Sequence, residues 1–232
     1  MLIATIIQSA LFWEDKRANL EQFEQKINTL TTKTNLVILP EMFTTGFSMR
    51  TEDLAETMDG PTVTWMKKMA IEHSIILTGS IIIKDNQQYF NRLIWMLPNG
   101  RFGYYDKRHL FAFAGEEKYY TPGNKRLITS VNGFKIQLLV CYDLRFPVWT
   151  RQANQANPEY DILIVVANWP ASRSHAWKTL LAARAIENQC YVIGVNRIGE
   201  DGHNSYHSGD STIIDPLGNI LFTQADEPMV HT

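Results

Sequence analysis

The stretch Phe134-Lys135-Ile136-Gln137-Leu138-Leu139-Val140-Cys141-Tyr142-Asp143-Leu144-Arg145-Phe146-Pro147 decides how this chain is read. Its first half alternates and then becomes continuously apolar, as a partly buried strand does. A turn follows, and a helix is expected to begin near Pro147, because proline suits a first helical turn. Cys141 therefore stands at the carboxyl end of a strand, where open α/β sheets present their ligands. Backbone N–H groups of the turn can be aimed at a bound oxyanion. Taken alone, a free cysteine is more often a small buried hydrophobe. A reactive thiol needs an identifiable activating environment.

Two other segments offer one. In Leu36-Val37-Ile38-Leu39-Pro40-Glu41-Met42-Phe43, four β-formers end at a proline and a carboxylate follows at once. Proline cannot donate to a sheet ladder, so the strand stops there. Glu41 then sits at a strand end among Pro40, Met42, Phe43 and Phe47. Desolvation in such surroundings raises a carboxyl pKa, which suits a general acid or base. In Tyr104-Tyr105-Asp106-Lys107-Arg108-His109-Leu110, Lys107 ends a strand that the Pro98-Asn99-Gly100 turn introduces. An ammonium there can favour a thiolate and stabilise a tetrahedral oxyanion. Read singly, Glu41 is a loop carboxylate and Lys107 part of a solvated basic cluster with Arg108. Read together, Glu, Lys and Cys each end a separate strand.

With those residues in place the chain resembles the nitrilase (carbon–nitrogen hydrolase) superfamily, whose members carry a catalytic Glu-Lys-Cys set. The resemblance runs from Ile3 to about Phe222 and rests on LPEMF, YDKRHLF, CYDLRFPVW, VANWP and ARAIENQ. The last three look like the omega-amidase branch, with its 2-oxoglutaramate amidases. The resemblance implies an α/β fold, a four-layer α-β-β-α sandwich with two mixed sheets. It also implies a second glutamate ahead of a Tyr-Tyr/Phe-x-Pro-Gly turn. Here that turn is Tyr119-Tyr120-Thr121-Pro122-Gly123, and counting back favours Glu116, with Glu117 adjacent.

Composition agrees with a globular enzyme. The 232 residues are 45% hydrophobic and 20% charged, enough for one domain with a substantial core. A net charge of -2 gives no reason to expect nucleic acid or an anionic membrane as partner. Two cysteines make no disulfide framework, and a reducing cytoplasm is expected. Met1 to Trp13 lacks a basic n-region and is too short to span a bilayer.

Helices are expected at Trp13–Leu30, from Gly60-Pro61-Thr62 to His73, and at His175–Asn188. Strands are expected at Ile3–Gln8, Leu36–Leu39, Ser74–Ile83, Phe102–Tyr105, Phe134–Val140, Asp161–Ala167 and Tyr191–Asn196, with a hairpin over Ser211–Phe222. No linker or solenoid repeat divides the chain, so residues 1–232 are expected to form a single domain. The resemblance implies a further strand and a dimer-interface arm past the last hairpin. Because the chain stops at Thr232, that C-terminal arm is expected to be shortened, which bears on the homodimer.

The chemistry expected is amide hydrolysis through a Cys141 thioester. Glu41 carries the proton, and Lys107 and the Tyr142 backbone N–H hold the oxyanion. Asp143 is expected to fix the strand–helix turn. Arg145 or Arg173 binds a carboxylate distal to the amide. Phe43, Phe111 and Trp169 are expected to line the pocket. His203 and His207 have i, i+4 spacing but read as loop residues without a third ligand. No GxxxxGK[ST] loop occurs and no GxGxxG follows a strand, so no cofactor is expected. The substrate implied is the terminal amide of 2-oxoglutaramate or 2-oxosuccinamate. Deaminated-glutathione amidase, N-carbamoyl amidase and a catalytically silent interaction protein are the alternatives.

Overall fold

The computed structural model describes residues 1–152 and 156–232. In chain order, β1 (Ala4–Gln8), α1 (Lys16–Asn28), β2 (Leu36–Ile38), α2 (Thr51–Leu54), α3 (Pro61–Glu72), β3 (Ile76–Asp85), β4 (Gln88–Met96) and β5 (Phe102–Asp106) make the first half. The second half is β6 (Ile128–Val131), β7 (Phe134–Val140), α4 (Pro147–Thr150), β8 (Ile162–Ala167), α5 (Ser174–Asn188), β9 (Tyr191–Asn196), β10 (Ile198–Glu200), β11 (Tyr206–Ile214), β12 (Ile220–Ala225) and β13 (Met229–His231). Among the described residues these strands form two mixed sheets. One has the order β13-β1-β2-β3-β4-β5 and the other β10-β11-β9-β8-β7-β6, with β12 on β11.

Strand periodicity explains the layers. Successive side chains point to opposite faces, so a strand buried on both sides feeds two cores. In β1, Ile6 joins the core between the sheets, while Ile7 joins the core under the helices. In β2, Leu36 and Ile38 face the inter-sheet core and Val37 the helical one. Phe23 and Ile27 of α1 and Met66 and Met69 of α3 close the outer face of the first sheet. Trp177, Leu181 and Ala185 of α5, spaced by four, close the outer face of the second. The result is the expected α-β-β-α sandwich.

Local chemistry sets the boundaries. Asp15 caps α1 by accepting from Ala18 N–H at 2.9 Å, so the helix begins at Lys16 rather than Trp13. Asn86 and Gln87 both take positive φ, the two-residue turn that right-twisted hairpin strands prefer. β11 begins five residues before the expected hairpin, because its first residues pair with β10. Beyond β12 the chain does form a further strand, β13, which pairs antiparallel with β1. No helix among the described residues is long and apolar enough to cross a membrane.

Directionality then places the chemistry. β2 runs parallel to β3, and β5 returns to that direction through antiparallel β4. The carboxyl ends of β2 and β5 therefore share one edge of the first sheet. Gly123 packs against the end of β5, its N–H donating to Lys107 O at 2.9 Å. A Cβ there would overlap the Asp106 carbonyl oxygen. Gly123→Ala is expected to destabilise the fold by about 2 kcal/mol through overpacking against backbone, read as a lower urea midpoint.

Candidate active site

Three strand ends and one turn meet in a closed pocket of charge. Glu41 follows β2, Lys107 follows β5 and Cys141 follows β7, while Glu116 comes from a 3-10 turn at residues 116–118. Glu41, Lys107 and Glu116 are at most 1% exposed. Lys107 Nζ lies 3.0 Å from Glu41 Oε1 and 2.9 Å from Glu116 Oε2. Buried charges survive only when paired and hydrogen-bonded, and each carboxylate here is. Asn91 Nδ2 donates to Glu41 Oε1 at 2.8 Å and reaches Glu116 Oε1 at 3.4 Å. The backbone N–H of Asn168 donates to Glu41 Oε2 at 2.7 Å, and that of Phe111 to Glu116 Oε2 at 2.6 Å. Glu117, the other residue considered for the second glutamate, is exposed.

The charge states follow from this geometry. Burial works against the Lys107 ammonium, yet Glu116 and Glu41 hold its pKa above the ordinary lysine value. Burial pushes the Glu116 carboxyl up, with Lys107 opposing and the Glu41 charge adding to it. Burial likewise pushes the Cys141 thiol well up, and the Glu41 charge adds more than Lys107 removes. Lys107 favours the thiolate as the sequence suggests, but burial and the Glu41 charge outweigh it.

Cys141 itself adopts φ +46°, a left-handed conformation uncommon for a residue with a Cβ. The carboxylate of Asp143 holds it there. Its Oδ2 accepts from Val140 N–H at 3.1 Å and from the Tyr105 hydroxyl at 2.8 Å. Its Oδ1 accepts from the His109 backbone N–H and ring Nδ1, both at 2.8 Å. Tyr105 also accepts from Trp149 Nε1 at 3.0 Å. One buried carboxylate thus ties the Cys141 turn to the segment that carries Lys107, the fixing role expected of Asp143.

A cavity of about 160 Å³ opens onto Cys141 and Lys107. Phe111, Tyr142 and Trp169 form aromatic walls, and Arg145 and Arg173 line it as well. Arg145 lies over Trp169 at 4.9 Å and Arg173 over Phe111 at 5.1 Å. Neither guanidinium forms an ion pair among the described residues.

Phe43 is a correction. It is buried between the first sheet and the helices, edge-on to Phe23 at 5.6 Å. Met42 takes φ +41°, and the N–H groups of Thr45 and Gly46 return to its carbonyl. This tight turn sends Phe43 inward and brings Phe47 to the cavity instead. His207 is a second correction, while His203 lies in a turn as expected. His207 lies on β11, only 2% exposed, and both His203 and His207 line the cavity. Burial, together with nearby Arg197, lowers the His207 pKa to about 4. No group of three metal-ligating side chains occurs among the described residues. Asn91 and the Glu41-binding role of Asn168 escaped the sequence reading. The only signal for Asn91 was a polar pair, Asn91-Arg92, standing before the apolar end of β4.

A thiol, two buried carboxylates and a fixed ammonium thus gather beside a small cavity on an α-β-β-α sandwich. The chain belongs to the carbon-nitrogen hydrolase family, whose model matches residues 3–229, and it hydrolyses carbon–nitrogen bonds. It is 43% identical over 219 residues to Omega-amidase YafV of Escherichia coli K12, covering 94% of this chain and 83% of that protein. It is 34% identical over 206 residues to the 2-oxoglutaramate amidase of Bacillus subtilis 168, covering 88% and 78%. A solved CN-hydrolase superfamily structure from Xanthomonas campestris, with an arsenic adduct in its active site, superposes with a TM-score of 0.96 at 43% identity, covering 99% of this chain and 88% of that one. Saccharomyces cerevisiae Nit3, of branch 10 of the nitrilase superfamily, gives 0.87 at 25% identity, covering 99% and 88%.

Removing the Asp143 carboxylate orphans several buried donors at once. Asp143→Ala is expected to cost about 3 kcal/mol and to lower the thermal midpoint, measured by circular dichroism.

Proposed function

We propose that this chain is an omega-amidase that hydrolyses the terminal carboxamide of 2-oxoglutaramate or 2-oxosuccinamate to the 2-oxo dicarboxylate and ammonia. One observation carries the reading. The thiol beside the Glu41–Lys107–Glu116 cluster opens into a small cavity that also presents two guanidiniums with no ion-pair partner among the described residues. The names of the relatives from E. coli and B. subtilis support the same substrate class.

The Cys141 sulfur attacks the amide carbon as its proton passes to Glu41, so no free thiolate need form in a site that opposes one. Lys107 and the Tyr142 N–H hold the oxyanion, where preorganised donors act most strongly. Glu41 returns the proton to nitrogen, the C–N bond breaks, and ammonia leaves a Cys141 thioester. Water then attacks the thioester carbon. Glu41 takes the water's proton and passes it to the departing sulfur, restoring the thiol. Glu116 keeps Lys107 in position throughout.

The distal carboxylate of the substrate pairs with Arg145 or Arg173. Arginine binds carboxylates through parallel N–H bonds, and the aromatic faces beneath both groups leave their edges free for the ligand. A reducing, cytoplasmic setting suits a nucleophilic thiol and the free, buried Cys190.

Two measurements test this. Ammonia release from 2-oxoglutaramate should disappear in Cys141→Ala, and undiminished turnover would remove Cys141 from the mechanism. Arg145→Met and Arg173→Met should be compared on 2-oxoglutaramate and on a neutral amide of similar length. Loss of a charged hydrogen-bonding partner predicts a fall of about 10- to 100-fold in kcat/KM for the variant that removes the carboxylate ligand. The neutral amide should be nearly unaffected, and an equal fall on both would exclude a carboxylate-binding role.

A further inference from the structure

A cluster of two buried carboxylates around one ammonium needs something to keep both carboxylates ionised. Asn91 occupies that place. It sits on β4, is 1% exposed, and lies outside the residues that line the cavity. Its Nδ2 faces Glu41 Oε1 at 2.8 Å and Glu116 Oε1 at 3.4 Å. Both neighbours are acceptors, which fixes the amide orientation with nitrogen towards them. The other end of the amide, Oδ1, has no hydrogen-bond partner among the described residues. A buried amide kept for packing alone would be better replaced by an apolar side chain, since an unsatisfied polar atom is costly. Asn91 tolerates that cost at Oδ1 while committing its N–H groups to the two glutamates.

We propose that Asn91 is a positioning residue of the amidase reaction, whose side-chain N–H groups, shared between Glu41 and Glu116, keep Glu41 ionised as the proton acceptor. The proposal rests on the reading of Glu41 as general base. The groups facing Glu41 are Lys107 from the end of β5, Glu116 and Tyr120 from the loop that follows, and Cys141 from the end of β7. Tyr120 spends its hydroxyl proton on Ser48 O, and neighbouring Arg92 turns to Asp85 and Asp106. Lys107 and Asn91 are thus the side chains that stabilise the charge on Glu41. Hydrogen bonds to an ionised carboxylate favour the ionised form. Losing them disfavours the ionised carboxylate and moves the acid limb of kcat/KM to higher pH.

The test is the pH dependence of kcat/KM for wild type, Asn91→Asp and Asn91→Leu. The Asp variant is isosteric and keeps the packing if the Leu variant does not fold. Either the aspartate adds a negative charge beside Glu41 or it holds a proton that the cluster must share. The added charge leaves Glu41 less ionised at a given pH, whereas a protonated aspartate donates in place of the amide, so Asn91→Leu, which can do neither, is the deciding variant wherever it folds. The expected result is an acid limb displaced upward by about one pH unit, a tenfold loss of activity on that limb, with KM within about threefold of wild type. A purely structural role would lower the melting temperature and leave the limb where it is. An acid limb superimposable on wild type in a folded variant overturns the proposal. Should wild type release ammonia from none of the short amides, the function proposed above fails. Alkylation of Cys141 by iodoacetamide then decides the role of Asn91. An upward shift of the alkylation profile in Asn91→Asp supports it, and coincident profiles exclude it.

Discussion

The structure turns on the ammonium of Lys107, buried between Glu41 and Glu116. An unpaired charge at that depth costs several kcal/mol. The three side chains must therefore come together from two strand ends and a turn spread over residues 41–116 of the chain. That requirement explains features that look local. Gly123 lets the loop return onto the end of β5, and Phe111 N–H anchors Glu116 as the chain turns. Asn168, from the second sheet, donates to Glu41 across the interface between the sheets. Packing of the two sheets and assembly of the charge cluster are one event.

The same charge balance shapes the chemistry. Two carboxylates against one ammonium leave the site short of positive charge, which opposes a resting thiolate at Cys141. The mechanism proposed above therefore draws its reactivity from proton transfer during attack, with Lys107 assigned to the oxyanion. Cys141 also carries backbone strain, at φ +46°. Such strain persists only where the surroundings over-determine it. Asp143 supplies the restraint, through Val140 N–H on one side and Tyr105 and His109 on the other. Position and electrostatics are thereby set by separate networks, one around Asp143 and one around Lys107.

Much of this was legible in the residues. The alternation in Phe134–Val140 marked the nucleophile strand, and Pro40 marked the strand end at Glu41. The family motifs supplied the four layers, which periodicity alone could not. Glu116 was favoured over Glu117 by counting from the Tyr119–Gly123 turn, and the structure buries the first and exposes the second. Phe43 was misplaced because a single positive φ at Met42 reverses the chain, and sequence carries little sign of it. Asn91 was overlooked because a polar residue in a strand, here next to Arg92, says nothing about what lies opposite.

The sequence by itself determined which residues end strands, which faces are apolar and which side chains can carry proton transfer and nucleophilic attack. These depend on period, on proline and glycine, and on functional groups, all properties of short segments. Only the tertiary structure decided that Asn91 bridges the glutamates, that Phe47 rather than Phe43 reaches the cavity, and that His207 is buried beside it. Those outcomes depend on the direction and register with which distant strands pack, and on the burial that results. Long-range geometry and desolvation are properties of the assembled sheets, absent from any single stretch of chain.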